Sequence, residues 1–342
     1  MKCESRSRGG KKRNKKPKDI TLYYVNINGY QSKKDSLKEI VKSTKPDIVA
    51  LVETKVSKNK VFKEWDPYYQ CLKKNCTRGK GGIMCAFKKG TFKFATNVTS
   101  VDDDRILTCK VEYHSRTVRV IAVYGPQETD ESEVRNDFYI KLGLEIEKCF
   151  NAGDGVLIVG DLNAKLNTDE VENIVHESGN GKLLTEAVQD YGLEVMNFSE
   201  ICTGTWTWTK KIRGVTNRSK LDYLIVDKQV SDLVCEMEID EEKVHCPFHK
   251  KKVNKKKKKG RKTKKSNDIV YSDHNAIICK LGIFPAKIKS TKESRWIITQ
   301  KGLEKFKAES TIFSIERGCT DDYSALEKAI FSKMSDCFRR VW

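Results

Sequence analysis

Four short polar motifs end apolar stretches of this chain: Asn26-Ile27-Asn28-Gly29, Leu51-Val52-Glu53-Thr54, Gly160-Asp161-Leu162-Asn163 and Ser272-Asp273-His274-Asn275. A fifth, Lys220-Leu221-Asp222-Tyr223, opens one. Any one of them has an ordinary structural reading, since Asp-Leu-Asn after a strand is usually a turn or a helix cap. Together they supply a carboxylate for a hard cation, amides that hold oxygens, and a lone His beside carboxylates. Those are the parts required to attack a phosphodiester with metal-activated water. The end of a strand is also where a rigid sheet can hold a side chain over a cleft.

The stretches that must position these groups read as strands of a large mixed fold. Residues 20 to 26 have strand character, residues 33 to 43 a helical period, and residues 47 to 53, after Pro46, form a buried strand. Short strand candidates crowd at 68 to 72, 82 to 87, 106 to 112 and 117 to 124. A helix is expected from residue 131 to 150, before the turn Asn151-Ala152-Gly153-Asp154-Gly155, with a buried strand at 156 to 160. A helix near 182 to 191 leads to strands near 193 to 196, 220 to 226 and 275 to 281. Meandering strands with few helices favour an α/β (α+β) chain of two packed sheets flanked by helices over a doubly wound parallel sheet. After Pro285 the composition changes, and helical patterns at 301 to 309 and 322 to 341 read as a linker or the start of a following region.

With 342 residues, 38% of them hydrophobic, the chain can bury a large core. Its longest apolar stretches, 48 to 52 and 156 to 159, fall far below the roughly 18 residues of a membrane span. The first twenty residues are basic and lack an apolar segment, which excludes a secretory signal and gives an intracellular expectation. The 12 cysteines have no paired spacing and read as reduced and mostly buried. His245-Cys246 with His249 lacks the second ligand pair of a zinc site. The net charge of +19 is concentrated in two runs: residues 1 to 18 carry nine Lys or Arg and one Glu, and residues 250 to 265 carry twelve basic residues and no acid. The remainder is close to neutral. Such runs repel themselves and suit a polyphosphate tether or a nuclear import signal.

With these motifs in this order, residues 20 to 283 resemble the exonuclease-endonuclease-phosphatase superfamily. Gly-Asp-Leu-Asn and the later Ser-Asp-His are its most specific signatures. The finer resemblance is to the apurinic-endonuclease-like nucleases of non-LTR retrotransposons. It rests on Val123-Tyr124-Gly125-Pro126, Gly160-Asp161-Leu162-Asn163-Ala164-Lys165, Thr205-Trp206-Thr207-Trp208, Lys220-Leu221-Asp222-Tyr223 and Tyr271-Ser272-Asp273-His274-Asn275-Ala276-Ile277. The resemblance implies a four-layer α/β/β/α sandwich over residues 19 to 284, interrupted by a lysine-rich insertion at 249 to 266. It also implies a magnesium-dependent endonuclease, with manganese as a substitute, acting on DNA as a monomer.

Carried over motif by motif, Glu53 is the principal magnesium ligand, with Asn28 and Asp273 close to the ion. Asp161 orients or deprotonates the attacking water and is held by Asn26, and Asn163 donates to a non-bridging phosphate oxygen. His274 contacts the scissile phosphate, oriented by Asp222. Tyr124 stands where pancreatic-type deoxyribonucleases, sphingomyelinases and inositol-polyphosphate phosphatases tend to have a second His, which points to a nucleic-acid branch. Asn28 departs from the Asp of the repair apurinic endonucleases, and a neutral ligand weakens a hard-cation site.

DNA contacts are expected from Arg78 and Lys80, which precede Gly81-Gly82, and from Trp208, Lys210, Lys211, Arg213 and Arg218, read as a long basic loop with neighbouring aromatics. Trp206 reads as core, and Trp208, in the same stretch, as the more exposed of the pair. His114, His176 and the run Asp102-Asp103-Asp104 read as loop residues without a catalytic role. The lysine runs suit nuclear import receptors, so the expected location is nuclear and cytoplasmic. Two rival readings keep part of this picture: a phosphoesterase of the same fold on a lipid, inositol phosphate or RNA, and a catalytically silent nucleic-acid-binding remnant.

Overall fold

The computed structural model describes residues 19–56, 65–66, 68–73, 81–113, 116–166, 177–253, 266–282, 295–297 and 339–341. In chain order the elements begin β1 (Ile20–Asn26), α1 (Tyr30–Thr44), β2 (Ile48–Val52), β3 (Tyr68–Lys73), β4 (Ile83–Lys88) and β5 (Ala95–Asn97). They continue β6 (Ile106–Tyr113), β7 (Arg116–Tyr124), α2 (Ser132–Ala152), β8 (Gly155–Asp161), α3 (Gly179–Asp190), β9 (Glu194–Val195) and β10 (Cys202–Thr203). The last are β11 (Trp208–Ile212), β12 (Val215–Ser219), β13 (Asp222–Val226), α4 (Lys228–Ser231), β14 (Val234–Ile239), β15 (Phe248–Val253), β16 (Ser266–Tyr271) and β17 (Ile277–Leu281).

Two large mixed sheets result. One has the order β10-β14-β17-β1-β2-β4-β3, the other β5-β6-β7-β8-β13-β9. Alternation along each strand divides the core into three layers. In β1, Ile20, Leu22 and Tyr24 enter the core between the sheets, while Tyr23 and Val25 pack under α1 with Leu37 and Ile40. In β8, Leu157 and Val159 face the first sheet, while Val156 and Ile158 pack beneath α2 and α3 with Phe138, Leu142 and Leu184. Strands covered on both faces explain the unbroken apolar runs of the sequence. The architecture is the four-layer α/β/β/α sandwich.

The tail expectation is corrected at its end. Residues 339–341, assigned to a helix by their period, form a strand antiparallel to Arg295–Ile297; three residues carry too little periodicity to choose, and the pairing decides. The remaining helical patterns of that region lie outside the described residues. Eight cysteines are described, all free, six of them buried, and no described helix is long and apolar enough to cross a membrane.

One buried carboxylate ties α2 to the turn before β6. Glu145 is fully buried and accepts from the amides of Ser100 (2.8 Å) and Val101 (3.1 Å) and from the hydroxyls of Ser100 and Thr108. Burial works to raise its pKa, yet these donors outweigh it and hold the carboxyl below the usual range. Its contribution to stability is therefore present above the ordinary carboxylate pKa and is lost as pH falls through the folded value. Glu145→Gln should lose about 2 kcal/mol at neutral pH, and the gap between variant and wild type in urea melts should narrow as the pH is lowered.

Candidate active site

The same alternation decides which polar groups reach the seam between the sheets. Asn26 follows Tyr24 in phase, Tyr124 follows Ala122, Asp161 follows Val159, and Asp222 precedes Leu224; all four partners belong to the inter-sheet core. β7 and β8 run parallel with Tyr124 beside Asp161, and β13 runs antiparallel with Asp222 opposite Asp161. Gly160 permits that approach, since a Cβ there would sit 2.0 Å from the Val123 carbonyl oxygen. β1 and β2, also parallel, end together at Asn26 and Val52, which puts Glu53 at the same rim. β17, antiparallel to β1, begins just after His274.

Asn26 is the hub. Its Nδ2 donates to Asp161 Oδ2 at 2.9 Å and to Glu53 Oε1 at 3.0 Å, and lies 3.5 Å from His274 Nε2. His274 Nδ1 lies 2.8 Å from Asp222 Oδ2, and Nε2 lies 3.8 Å from Asp161 Oδ2. Burial alone would lower the imidazole pKa, but the charges of Asp222 and Asp161 outweigh it and push it up to about 9. His274 is thus an imidazolium at neutral pH. Burial, and then the charge of Asp222, push Asp161 up to about 7 against the pull of His274, Asn26 and the Asn163 amide.

Glu53, Asn28 and Asp273 form a second group beside the first. Lys55 Nζ lies 3.3 Å from Glu53 Oε2 and donates to Asn28 Oδ1 at 2.6 Å, while Asn28 Nδ2 donates to Asp273 Oδ1 at 3.2 Å. Burial raises the Asp273 carboxyl, but His274 and the Asn28 amide prevail and hold it below the usual range. An ammonium already stands between two oxygens expected to hold a cation, and every donor is oxygen, so the set fits a hard divalent ion. Asp161, Asp222 and His274 also bring their ligand atoms within 4.8 Å. That trio is a poorer cation site, because its imidazole is charged and its Nδ1 is engaged with Asp222.

Asn163 sits in a left-handed turn (φ 49°) after β8, its Nδ2 donating to the Gly125 carbonyl at 3.0 Å. Burial, then the charges of Glu53 and Asp161, raise the Tyr124 phenol well above its usual range, so it remains a donor. The stretch 210 to 218 is corrected from a loop to a ribbon: β11 pairs with β12 across Arg213-Gly214, both at positive φ (49° and 88°), the geometry of a two-residue hairpin turn. Lys210, Lys211, Arg213 and Arg218 are exposed on it. Trp208, at its base, bridges to His274, and the Thr209 amide donates to the Asp273 carbonyl at 2.9 Å. Trp206 is half-buried like Trp208, and the core position is Thr207 between them. Arg78, Lys80, His114 and His176 lie outside the described residues.

Sequence reasoning missed four supporting residues. Thr207 Oγ1 accepts from the amides of Leu221 (2.8 Å) and Asp222 (3.0 Å), fixing the start of β13. Ser272 Oγ donates to the Asn26 carbonyl at 2.6 Å. Lys33, only 4% exposed, donates to the carbonyls of Ile27 (2.8 Å) and Asn28 (2.9 Å), and Lys55 spans Glu53 and Asn28. Ser272 and Thr207 stood inside motifs already picked out; a lysine reaching back to strand-end carbonyls leaves no signal in a single sequence.

A buried histidine between carboxylates beside a set of oxygen donors, at one rim of a four-layer sandwich, has the parts needed to hydrolyse a phosphoester bond. The profile of the endonuclease/exonuclease/phosphatase family matches residues 24–274, well over half of the chain, and the chain belongs to that family. No curated protein matches it. Among solved structures, the chain resembles the endonuclease domain of TRAS1, a telomere-specific non-LTR retrotransposon, at 13% identity and a TM-score of 0.55, covering 78% of this chain and 100% of that one. It is also similar to the AP endonuclease LMAP from Leishmania major (15%, TM-score 0.57, 78% and 88% covered) and to the 3'-5' exonuclease NExo from Neisseria meningitidis (15%, TM-score 0.56, 77% and 100%). At these identities the likeness shows the fold.

The two acidic groups can be told apart by metal binding alone. Glu53→Gln should weaken Mn2+ affinity, followed by electron paramagnetic resonance, by about tenfold or more, as for loss of an anionic hard ligand. Asp222→Asn should leave it nearly unchanged, and the reverse ranking would move the cation to the Asp161, Asp222 and His274 trio.

Proposed function

We propose that the chain is a magnesium-dependent endonuclease that nicks DNA by attack of water on a phosphodiester, as in target-site nicking during retrotransposition. The observation that carries this reading is the His274 imidazole held between the Asp222 and Asp161 carboxylates, next to the oxygens of Glu53, Asn28 and Asp273. Glu53, Asn28 and Asp273 would hold magnesium or manganese, which when bound supplies positive charge against the charge developing on the phosphate. Asp161, poised near neutrality, takes the proton of the attacking water. His274 donates to a phosphate oxygen from its Nε2 edge, and Asn26 keeps Asp161 and Glu53 aligned. Asn163 and Tyr124 stand at the same rim as further donors to the phosphate.

DNA as the substrate is supported by the exposed cations of the β11–β12 ribbon rooted on His274 and Asp273, by Tyr124 in place of a second His, and by the nature of the similar proteins. One of these, the 3' phosphatase NExo, is described bound to a product DNA hairpin. The lysine runs suit a nuclear location through import receptors and a monomer working on a polyanion.

The test is a supercoiled-plasmid assay with magnesium and with EDTA. Wild type should give nicked circles with magnesium only, and Asp161→Ala and His274→Ala should each lower the rate by roughly 10²–10⁴, the usual scale for a lost proton-transfer group. Nicking that survives either substitution would overturn the assignment. DNA left intact while a lipid or inositol phosphate is hydrolysed would change the substrate.

The insertion is testable separately. The insertion expected at 249 to 266 is corrected at its ends, since residues 249–253 and Ser266 belong to the paired strands β15 and β16. Replacing residues 254 to 265, nine of them basic, by a Gly-Ser linker should weaken DNA binding and flatten log affinity against log salt by about 0.9 per lost phosphate contact. Turnover at saturating DNA should not change, because uniform binding is lost without touching transition-state contacts. An unaltered salt slope with loss of nuclear import would leave the run an import signal alone.

A further inference from the structure

We infer that Tyr24 is a positioning residue of this site, whose phenol holds the Asp222 carboxylate in the rotamer that orients His274. The inference rests on the nuclease reading above and adds a member that none of the sequence motifs contains.

Tyr24 lies two residues before Asn26 on β1 and is fully buried in the core between the sheets. The residues of that phase before it, Ile20 and Leu22, are aliphatic. A hydroxyl placed there loses its water and needs a partner. It has one: Tyr24 Oη donates to Asp222 Oδ1 at 2.6 Å. The other oxygen of the same carboxylate, Oδ2, lies 2.8 Å from His274 Nδ1. The two oxygens of this β13 residue are thus engaged by two neighbouring parts of the facing sheet, Tyr24 on β1 and the Ser-Asp-His loop that leads into β17. Rotation of the carboxylate would break both bonds at once.

Burial, and then the charge of Asp222, raise the Tyr24 phenol well above its usual range, which keeps it a donor at neutral pH. A phenol is also rigid: once its ring is packed, the hydroxyl position is set to within the play of the ring. Thr207 fixes the backbone of Asp222 from the other direction. Asp222 is therefore held at its backbone amide and at both carboxylate oxygens.

A built-in control lies one residue away. Tyr23 is as buried as Tyr24 but points to the opposite face, where its hydroxyl donates to the His245 carbonyl at 2.7 Å. Removing either hydroxyl removes one buried hydrogen bond, and only Tyr24 touches Asp222.

The experiment compares Tyr24→Phe, Tyr23→Phe, Asp222→Asn and the Tyr24→Phe/Asp222→Asn pair by plasmid nicking. It also records the downfield Nδ1 proton resonance of His274 in each folded protein. Tyr24→Phe should lower kcat about tenfold, the scale of a lost hydrogen bond to a charged group, with KM unchanged, and should shift the His274 proton. Tyr23→Phe should change neither. In the Asp222→Asn background Tyr24→Phe should have no further effect on kcat, since its influence passes through that carboxylate. Wild-type kcat and an unmoved resonance in Tyr24→Phe would overturn the inference, as would equal losses in the two tyrosine variants. A wild type that never nicks DNA would sink the nuclease reading instead, and the proton shift would still decide the role of Tyr24.

Discussion

Three ionisable groups, Asp161, Asp222 and His274, are withdrawn from water together at the seam of two sheets, and the rest of the site depends on their remaining in balance. A single charge left alone at such depth would cost several kcal/mol even after relaxation. The imidazolium relieves both carboxylates, and the Asn26 amide relieves what is left on Asp161. This balance constrains the fold as well as the chemistry. A one-residue slip of β13 against β8 would turn Asp222 toward α2 and leave His274 without its partner. Strand register and charge compensation are here the same requirement.

The cation side of the site is held by backbone rather than by side-chain packing. Asn28, Glu53 and Lys55 have positive φ (45°, 50° and 54°), and Gly29 between them reaches 100°. For Glu53 and Lys55 that conformation costs roughly 1–2 kcal/mol each. It persists because the turns after β1 and β2 are laced to each other and to the start of β4: Gly29 N to Glu53 O at 2.8 Å, Tyr30 N to Thr54 O at 3.0 Å, and Lys55 N to Gly81 O at 2.9 Å. Lys33 closes the same turn from beneath. Strain gathered at such a rim places the Glu53 carboxylate and the Asn28 amide oxygen around one ammonium, that of Lys55.

Much of this was legible in the sequence because the site sits at strand ends. β1 matched its expected residues 20 to 26, and the buried runs ending in Val52 and Gly160 stood out by their lack of polar residues. Helix starts were less legible: α1 begins at Tyr30 rather than residue 33, and α3 at Gly179 rather than 182, in the latter case because Ser178 caps a first turn that contains two glycines. The β11–β12 ribbon hid behind its charge, since Lys-Lys-Ile-Arg-Gly reads as loop unless the Arg213-Gly214 turn is weighed first. Contacts across sheets were out of reach altogether. Nothing in Tyr24 signals a partner near residue 222, because that proximity comes from the packing of two sheets, whereas Thr207 meets Leu221 and Asp222 at the foot of the β11–β12 ribbon.

Asp222 and His274 are separated along the chain by β14 and by the β15–β16 ribbon, so the pair forms only if that excursion returns to its starting point. Two anchors secure the return. β14 and β17 pair antiparallel, bringing Ile239 beside Ile277, and β15 pairs with β16 up to Phe248 opposite Tyr271, one residue before Ser272. The ribbon is fixed in turn to α1, where Ser36 Oγ donates to the Phe248 carbonyl at 2.8 Å and accepts from its amide at 2.9 Å. Closing a longer connection adds only a logarithmic entropy cost, and with the strands already paired at its base, added length beyond Val253 and before Ser266 places no load on Asp273 or His274. The pairing of β15 with β16 therefore fixes the approach to Ser272, Asp273 and His274 whatever the composition of the chain that joins Val253 to Ser266.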